Sequence, residues 1–318
     1  MIISCSSCQT KYRVDENNIA HERFRVQCKQ CGESFIVDKE TGKSTSENQS
    51  VSATSAASGG TNAAASVSSD CIVITVCNQK GGVAKTSSCL NLGASLALLK
   101  KRVLLVDFDV QSNLSLLLGF SDVRSFFDVM HSEDAQMEDC VLQAKPNLWI
   151  LPSNNKMALL SKKHLGSDRF EYLLHEQLAS IKSKFDYIII DTPPSGDFYT
   201  LNALLASNLA IVATQCEFLS MNGVSHIEDL ISVIKDKADH DIDYQILITM
   251  YKSDNTASRA VLKKMMATYN GRILKPAITY DEKIQESQIV QQPTLYYDKT
   301  SRAGRQYLQL AKSLVNVE

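Results

Sequence analysis

One stretch of ten residues constrains this chain more than any other. The apolar, β-branched run Ile72–Cys77 is followed by Asn78-Gln79-Lys80-Gly81-Gly82-Val83-Ala84-Lys85-Thr86-Ser87, and then by a helical pattern near Thr86–Lys100. A strand, a glycine-containing loop and a helix N-terminus make a cradle for a polyphosphate, because free backbone N–H groups and the helix dipole both favour an anion. Lys85 is expected to reach the β- and γ-phosphates, and the Thr86 hydroxyl to sit on Mg²⁺. The standard phosphate-loop expression needs glycine at positions 79 and 84. Gln79 and Ala84 stand there instead, and an extra lysine, Lys80, opens the loop.

The rest of the chain from Cys71 onward alternates short strand-like runs with amphipathic stretches. Strands are expected at Ile72–Cys77, Val103–Phe108, Leu148–Leu151, Tyr187–Asp191, Ala210–Thr214 and Gln245–Met250. Helices are expected near Thr86–Lys100, Phe170–Lys184, Tyr199–Ala206, Asn222–Lys237, Ala257–Asn270 and Arg302–Leu314. This alternation predicts an α/β fold, a mostly parallel sheet with helices on both faces. At 318 residues the chain has room for one large domain of this kind plus a small appendage.

The appendage is N-terminal. Cys5-x-x-Cys8 and Cys28-x-x-Cys31 are separated by 19 residues, the spacing of a doubled metal-binding turn. Each turn aims two sulfurs at one point, and together Cys5, Cys8, Cys28 and Cys31 complete a tetrahedron suited to structural Zn²⁺, with an iron site of similar geometry as the alternative. A piece this small lacks a sufficient core of its own, so metal binding would supply folding free energy. Lys11–Val14 and Arg23–Val26 read as hairpin strands. The charges of this zinc ribbon are mixed, which favours docking to a protein over contact with DNA. Residues 40–70 follow, with 9 Ser, 6 Ala, 4 Thr, 3 Gly and no aromatic residue among 31. That composition cannot offset chain entropy and predicts a flexible linker. The expected domains are therefore 1–38, a linker at 39–70, and 71–318.

Charge and hydropathy narrow the class further. Lys plus Arg total 33 and Asp plus Glu total 35, so a nucleic-acid surface can exist only as a local patch. No apolar run approaches the roughly 20 residues of a membrane span, and Met-Ile-Ile-Ser-Cys lacks the pattern of a secretory leader. A cytoplasmic protein is expected. The remaining cysteines, Cys71, Cys77, Cys89, Cys140 and Cys216, are expected to be buried thiols, and Trp149 a core residue.

Lys80-Gly81-Gly82-Val83-Ala84-Lys85-Thr86 resembles the deviant Walker A box of the ParA/MinD-type P-loop ATPases, whose usual form has glycine where Ala84 stands. Leu104-Leu105-Val106-Asp107-Phe108-Asp109-Val110-Gln111-Ser112-Asn113 resembles the family's Asp-x-Asp-Pro-Gln-Gly-Asn stretch, with Val110 and Ser112 departing from it. Tyr187–Ser195 resembles the Walker B and switch region. Gln215-x-Glu217 and Gly223 match another ParA-type stretch. Thr249-Met250-Tyr251 matches a run that normally continues with Asp; here it is Lys252. The usual Ile-Pro-Arg is Ile278-Thr279-Tyr280. Pro293, Tyr297-Asp298, Ala303 and Tyr307–Ala311 match the C-terminal segment. The likeness covers nearly all of 71–315 and is closer to ParA than to MinD.

The resemblance implies ATP held by Lys80, Gly81, Gly82, Val83, Ala84, Lys85, Thr86 and Ser87. It implies Mg²⁺ held by Thr86 and, through water, Asp191. Lys80, Lys85 and Asp109 carry catalysis: Asp109 positions the attacking water, and Lys80 reaches across a nucleotide-sandwich homodimer. Asp107 either orders the metal shell or caps the strand end. Non-specific DNA binding is expected at Lys252, Arg259, Lys263, Lys264 and Lys283. Between residues 252 and 275 only Asp254 opposes six basic residues, a composition suited to salt-sensitive phosphate contacts, although a solvated helix face reads the same way. The expected cycle is partition or positioning of a plasmid, chromosome region or protein cluster on the nucleoid, with a ParB-like or cargo adaptor stimulating hydrolysis and no stable membrane anchor. The alternatives are a MinD-like ATPase acting at the membrane and a nucleotide-gated scaffold with little turnover.

Overall fold

The computed structural model describes residues 71–132, 135–218, 220–238 and 240–315, together with short strands at 2–4, 11–13, 23–27, 34–38 and 44–46. The chain divides into two compact units, Met1–Ser66 and Val67–Glu318.

In the N-terminal unit β1 (Ile2–Ser4) pairs antiparallel with β2 (Lys11–Arg13). A second sheet joins β3 (Arg23–Gln27), β4 (Ser34–Asp38) and β5 (Ser44–Ser46), again antiparallel. The two expected strands are present, but each pairs within its own sheet. Ile3 and Val37 are buried. Cys5 and Cys8 fall in the connection between β1 and β2, Cys28 and Cys31 in that between β3 and β4, and all four lie outside the described residues. So does most of 39–70, except that Ser44–Ser46, inside the expected linker, is strand β5.

The larger unit is built on seven strands. In chain order they are β6 (Ile72–Cys77), β7 (Val103–Asp107), β8 (Leu142–Lys145), β9 (Leu148–Leu151), β10 (Tyr187–Asp191), β11 (Leu209–Gln215) and β12 (Asp243–Thr249). Their order in the sheet is β12-β11-β6-β10-β7-β9-β8. Every pairing is parallel except β8 with β9. All six expected strands are found. Edge strand β8 escaped the sequence reading because Leu-Gln-Ala-Lys is half exposed and carries no β-branched residue.

The helices are α1 (Lys85–Leu98), α2 (Asn113–Leu117), α3 (Phe126–His131), α4 (Met137–Cys140), α5 (Met157–His164), α6 (Leu173–Leu178), α7 (Phe198–Leu205), α8 (Ser220–Ala238), α9 (Thr256–Thr268), α10 (Glu282–Ile289), α11 (Thr294–Tyr297) and α12 (Arg302–Val315). The helix expected over Phe170–Lys184 is broken into α6 and two 3₁₀ turns, Phe170–Tyr172 and Lys182–Lys184. Asn202 of α7 causes the first break. Its side chain accepts from Leu174 N (3.2 Å) and donates to Phe170 O (3.1 Å), which satisfies a helix start locally.

Central strands buried on both faces read as continuous apolar runs. Alternate side chains feed separate cores. Ile74, Val76, Leu105 and Ile189 pack with α1 and α12, whereas Val73, Leu104, Val106, Ile188 and Ile190 pack on the opposite face with residues of α3, α5, α6 and α7. Helix α1 lies close on its face: a Cβ added at Gly93 would come within 2.6 Å of Leu105 Cδ2. Gly93→Ala is therefore expected to cost about 1–3 kcal/mol by overpacking, read as a lower urea midpoint with an unchanged m-value.

Candidate nucleotide site

Strands β6, β10 and β7 are neighbours, and their C-terminal ends open onto one crevice. The loop 78–84 leaves β6 there and ends at the N-terminus of α1. Its shape is held from several sides. Asn78 Nδ2 donates to Ala213 O (2.8 Å), and Asn78 Oδ1 accepts from Lys80 N (2.9 Å). Thr249 Oγ1 donates to Val83 O (3.0 Å), and Gln215 Nε2 to Gly82 O (3.3 Å). Gly82 has φ 74° and Ala84 φ 61°. Left-handed residues in such a loop turn backbone N–H groups inward toward an anion. Ala84 thus takes a conformation that its family counterpart, glycine, adopts without cost, and not the helical one open to any residue. Ser112, at the family's other missing glycine, is also left-handed, at φ 54°.

Three carboxylates and one ammonium converge above the sheet. Lys85 is buried, and its Nζ donates to Lys80 O at 3.2 Å. Burial pulls its pKa down, against the opposing pull of Asp191 and Asp109. Asp191 ends β10 and is fully buried. Cys89 Sγ lies 3.6 Å from Asp191 Oδ1, while Oδ2 has no hydrogen-bond partner. Burial, reinforced by the charge of Asp107, pushes the Asp191 pKa up to about 8; the Thr86 hydroxyl pulls the other way. A buried carboxylate oxygen with nothing bonded to it is costly unless a cation or a water on a cation completes it. Thr86, at the start of α1, is the hydroxyl on the same side. These residues fit a magnesium ion.

Asp107 does something different. Its Oδ2 accepts from Ser115 N (2.8 Å) and Ser115 Oγ (2.6 Å), and its Oδ1 from Asp109 N (3.3 Å). One oxygen ties the end of β7 to Ser115 of α2 and the other holds the turn at Asp109, so of the two readings of Asp107 its bonds favour the strand-end role. Burial raises its pKa to about 6, with the Ser115 bonds opposing. Ser153 completes the brace. Its N–H donates to Ser115 Oγ (3.0 Å), and its Oγ to Asp109 O (2.6 Å). Asp109, nearly buried, accepts from Gln111 N at 2.9 Å. Ser115 and Ser153 were not legible in the sequence, since a single serine carries no pattern.

Lys80 is engaged by residues that follow β11. Its Nζ donates to Glu217 Oε2 at 2.5 Å and to Ser220 Oγ at 3.3 Å. Beside the loop lies a cavity of about 240 Å³, lined by Gly82, Ala84 and Ser87 at one end and by Met250, Ile278, Tyr280 and Ile284 toward the other. The C-terminal segment closes on α1: Tyr307 Oη meets Ser88 Oγ at 2.9 Å, and Thr294 N donates to Asn91 Oδ1 at 2.8 Å.

Residues 71–244 match a family model described as an AAA domain. Over 247 residues the chain is 32% identical to the sporulation initiation inhibitor protein Soj of Bacillus subtilis, an alignment covering 76% of this chain and 97% of Soj. The chain belongs to the ParA/Soj family of partition ATPases. It is also 29% identical over 252 residues to the chromosome partitioning protein ParA of Caulobacter vibrioides, covering 77% and 94% of the two chains. Among solved structures, cobyrinic acid a,c-diamide synthase of Mycobacterium smegmatis with bound ADP and magnesium superposes with a TM-score of 0.67 at 32% identity, over 77% of this chain and 94% of that one. A McdA–ATP complex from Cyanothece, at 18% identity, shares the fold with a TM-score of 0.71, over 79% and 98%. Residues 1–36 match a zinc-ribbon domain, which implies zinc in the N-terminal unit of this ParA-family protein. Among the described residues no helix is long and apolar enough to cross a membrane.

The five residues expected at DNA occupy different surroundings. Lys263 and Lys264 are exposed on α9. Arg259 donates to Ser253 O and Thr256 Oγ1, both at 3.2 Å. Lys283 pairs with Glu286 at 2.7 Å. Lys252 Nζ lies over the Tyr280 ring, 4.8 Å from its centroid. The five remaining cysteines are all buried, as expected, and Trp149 is half-buried in β9.

A left-handed alanine costs about 1–2 kcal/mol. Ala84→Gly is expected to stabilise the larger unit by about 1 kcal/mol, raising its melting temperature by about 2–4 °C, as read by calorimetry on the nucleotide-free protein.

Proposed function

We propose that this partition ATPase binds ATP in the loop Lys80–Ser87 and works as a nucleotide-sandwich homodimer that holds DNA non-specifically until a partner protein triggers hydrolysis. The observation that carries the reading is the convergence of Lys85, Asp191 and Asp109 on the crevice, with one Asp191 oxygen unbonded. Lys85 and the inward N–H groups of the loop hold the triphosphate. Thr86 and, through water, Asp191 hold magnesium, which when bound neutralises charge on the β- and γ-phosphate oxygens. Asp109, fixed by the Asp107–Ser115–Ser153 brace, orients the attacking water. Phosphoryl transfer asks for this kind of placement and charge stabilisation more than for covalent help.

Lys80 supplies the missing positive charge from the neighbouring subunit. In the single chain its ammonium is engaged by Glu217 and Ser220, which supports slow hydrolysis until two subunits meet. For DNA, the exposed Lys263 and Lys264 are the strongest contacts, joined by Arg259, Lys252 and Lys283 once their present partners yield. The cargo adaptor is ParB-like, and the zinc ribbon, through Cys5, Cys8, Cys28 and Cys31, docks a protein. The protein acts at the nucleoid in the cytoplasm. A nucleotide-gated scaffold is the second reading, and the left-handed Ala84 in the phosphate loop is the observation that favours it.

Phosphate release with DNA and partner present tests both. Lys80→Ala is expected to lower stimulated turnover by at least about tenfold, since a charge donated in trans is worth far more than that in related phosphoryl transfers, with ATP affinity changed only a few-fold. Full turnover in that variant contradicts the sandwich. ATP binding with no turnover in the wild type favours the scaffold.

A further inference from the structure

Helix α5 has one side built into the core and one that no other element covers among the described residues. Met157 and Leu160 are fully buried, in the core that also holds Phe108, Phe126 and Tyr199. On the other side stand Lys156, Leu159, Lys162 and Lys163, all exposed. Their spacing of three and four residues groups them on one face. Leu159 is 51% exposed, and Leu165, just past the helix, is 65% exposed. Among the described residues none of the three lysines pairs with an acid, and α5 carries no acid of its own.

The needs of the helix do not account for this face. Lys162 and Lys163 lie in the last turn, where a cation complements the helix dipole, but Lys156 is the N-cap, where a cation is repelled. Leu159 and Leu165 leave apolar surface in water. Leucines set among unpaired lysines are the complement of a helix that carries leucine and carboxylates on one stripe. Non-specific DNA contact would use the lysines and gain nothing from the leucines. An anionic lipid surface takes the continuous apolar side of a helix, and α5 has committed that side to the core.

The start of α5 is tied to the crevice twice. Met157 O accepts from Tyr199 Oη, and the Tyr199 ring packs edge-on against Phe108, with centroids 5.5 Å apart. Ser153, three residues before the N-cap, donates to Asp109 O at 2.6 Å. Phe108 and Asp109 are successive residues, so a partner seated on α5 bears on the aspartate of the crevice.

We propose that the outer face of α5, made by Lys156, Leu159, Lys162, Lys163 and Leu165, is the docking surface for the partner protein that triggers hydrolysis, and that the partner lays an acidic amphipathic helix on it. This rests on the reading that a partner acts on this ATPase. The leucines supply buried apolar contact, and the lysines at both ends of the face fix the direction and register of the acidic helix.

The test is fluorescence anisotropy of the full chain, without nucleotide, against two labelled synthetic helices about 18 residues long. One is built of Leu and Glu, the other of Leu and Lys in the same order. The acidic peptide is expected to bind, more weakly as salt is raised, and the basic one at least about tenfold less tightly. Lys162→Glu with Lys163→Glu should weaken the acidic peptide by roughly tenfold and favour the basic one. Lys162→Arg with Lys163→Arg should bind as wild type, and Leu159→Ser should lose roughly tenfold. All these positions are exposed, and unchanged basal phosphate release shows that each variant is folded. With Mg·ATP, saturating acidic peptide is expected to change the rate of phosphate release. The inference is overturned by an acidic peptide that does not bind, by equal binding of the two peptides, or by undiminished binding in the charge-reversed variant. Binding of duplex DNA or phosphatidylglycerol vesicles through these lysines, with the acidic peptide left free, overturns it too. So does a phosphate-release rate that bound peptide leaves unmoved. A wild type that binds the peptide but never releases phosphate removes the ATPase reading and the partner's role with it, while the seat on α5 stands.

Discussion

The arrangement on which the larger unit depends is a carboxylate taken out of water without a full set of partners. Asp191 sits at the end of the central strand β10, fully buried, with Oδ2 unbonded and two more carboxylates, Asp107 and Asp109, beside it. A core that served stability alone would not gather three ionisable acids there, because each costs free energy to bury, charged without a pair or neutral without a full set of hydrogen bonds. Among the described residues Lys85 is the one buried ammonium, set beside these three acids. The site is therefore tuned to a state in which a divalent cation and a polyphosphate arrive together, and the fold holds it ready. The parallel sheet aims three strand ends at one crevice, and α1 brings its N-terminus to the same place.

Around this centre the protein uses two kinds of support. The loop is fixed by neutral hydrogen bonds from Asn78, Gln215 and Thr249, which survive changes of charge in the crevice. Asp109 is fixed by the Ser115–Ser153 brace, which lets it stay nearly buried and still face the crevice. Lys80 is different in kind. It is held by the exposed Glu217, and an exposed ion pair is worth little. In the proposed sandwich the residue that would move is thus the one held by an exposed ion pair.

Much of this was legible in the residues themselves. The loop between Ile72–Cys77 and the following helix could be read because its chemistry is local: glycines, two lysines and a threonine at fixed spacing in one segment. The strands were legible because those buried on both faces have to be apolar throughout. What escaped the reading depends on distant partners. Asn202 breaks the helix expected at Phe170–Lys184 from 32 residues away, and Ser153 reaches Asp109 across 44. Edge strand β8 alternates Leu142 and Ala144 with Gln143 and Lys145, but four residues with no β-branched member are too short a pattern to stand out. The left-handed angle of Ala84 was hidden for another reason: alanine seldom adopts it.

The most direct measurement of the central claim is the proton balance of Mg·ATP binding, taken by calorimetry near pH 7 in buffers of different ionisation enthalpy. With its pKa at about 8, Asp191 is largely protonated there in the nucleotide-free protein. Metal binding requires the carboxylate, so the proton must leave. Lys85 next to a triphosphate can only take a proton up, so net release has to come from the acids. The account predicts release of up to about one proton per site at pH 7, shrinking as the pH rises past 8. Binding heats that are independent of buffer, or net proton uptake, would contradict it.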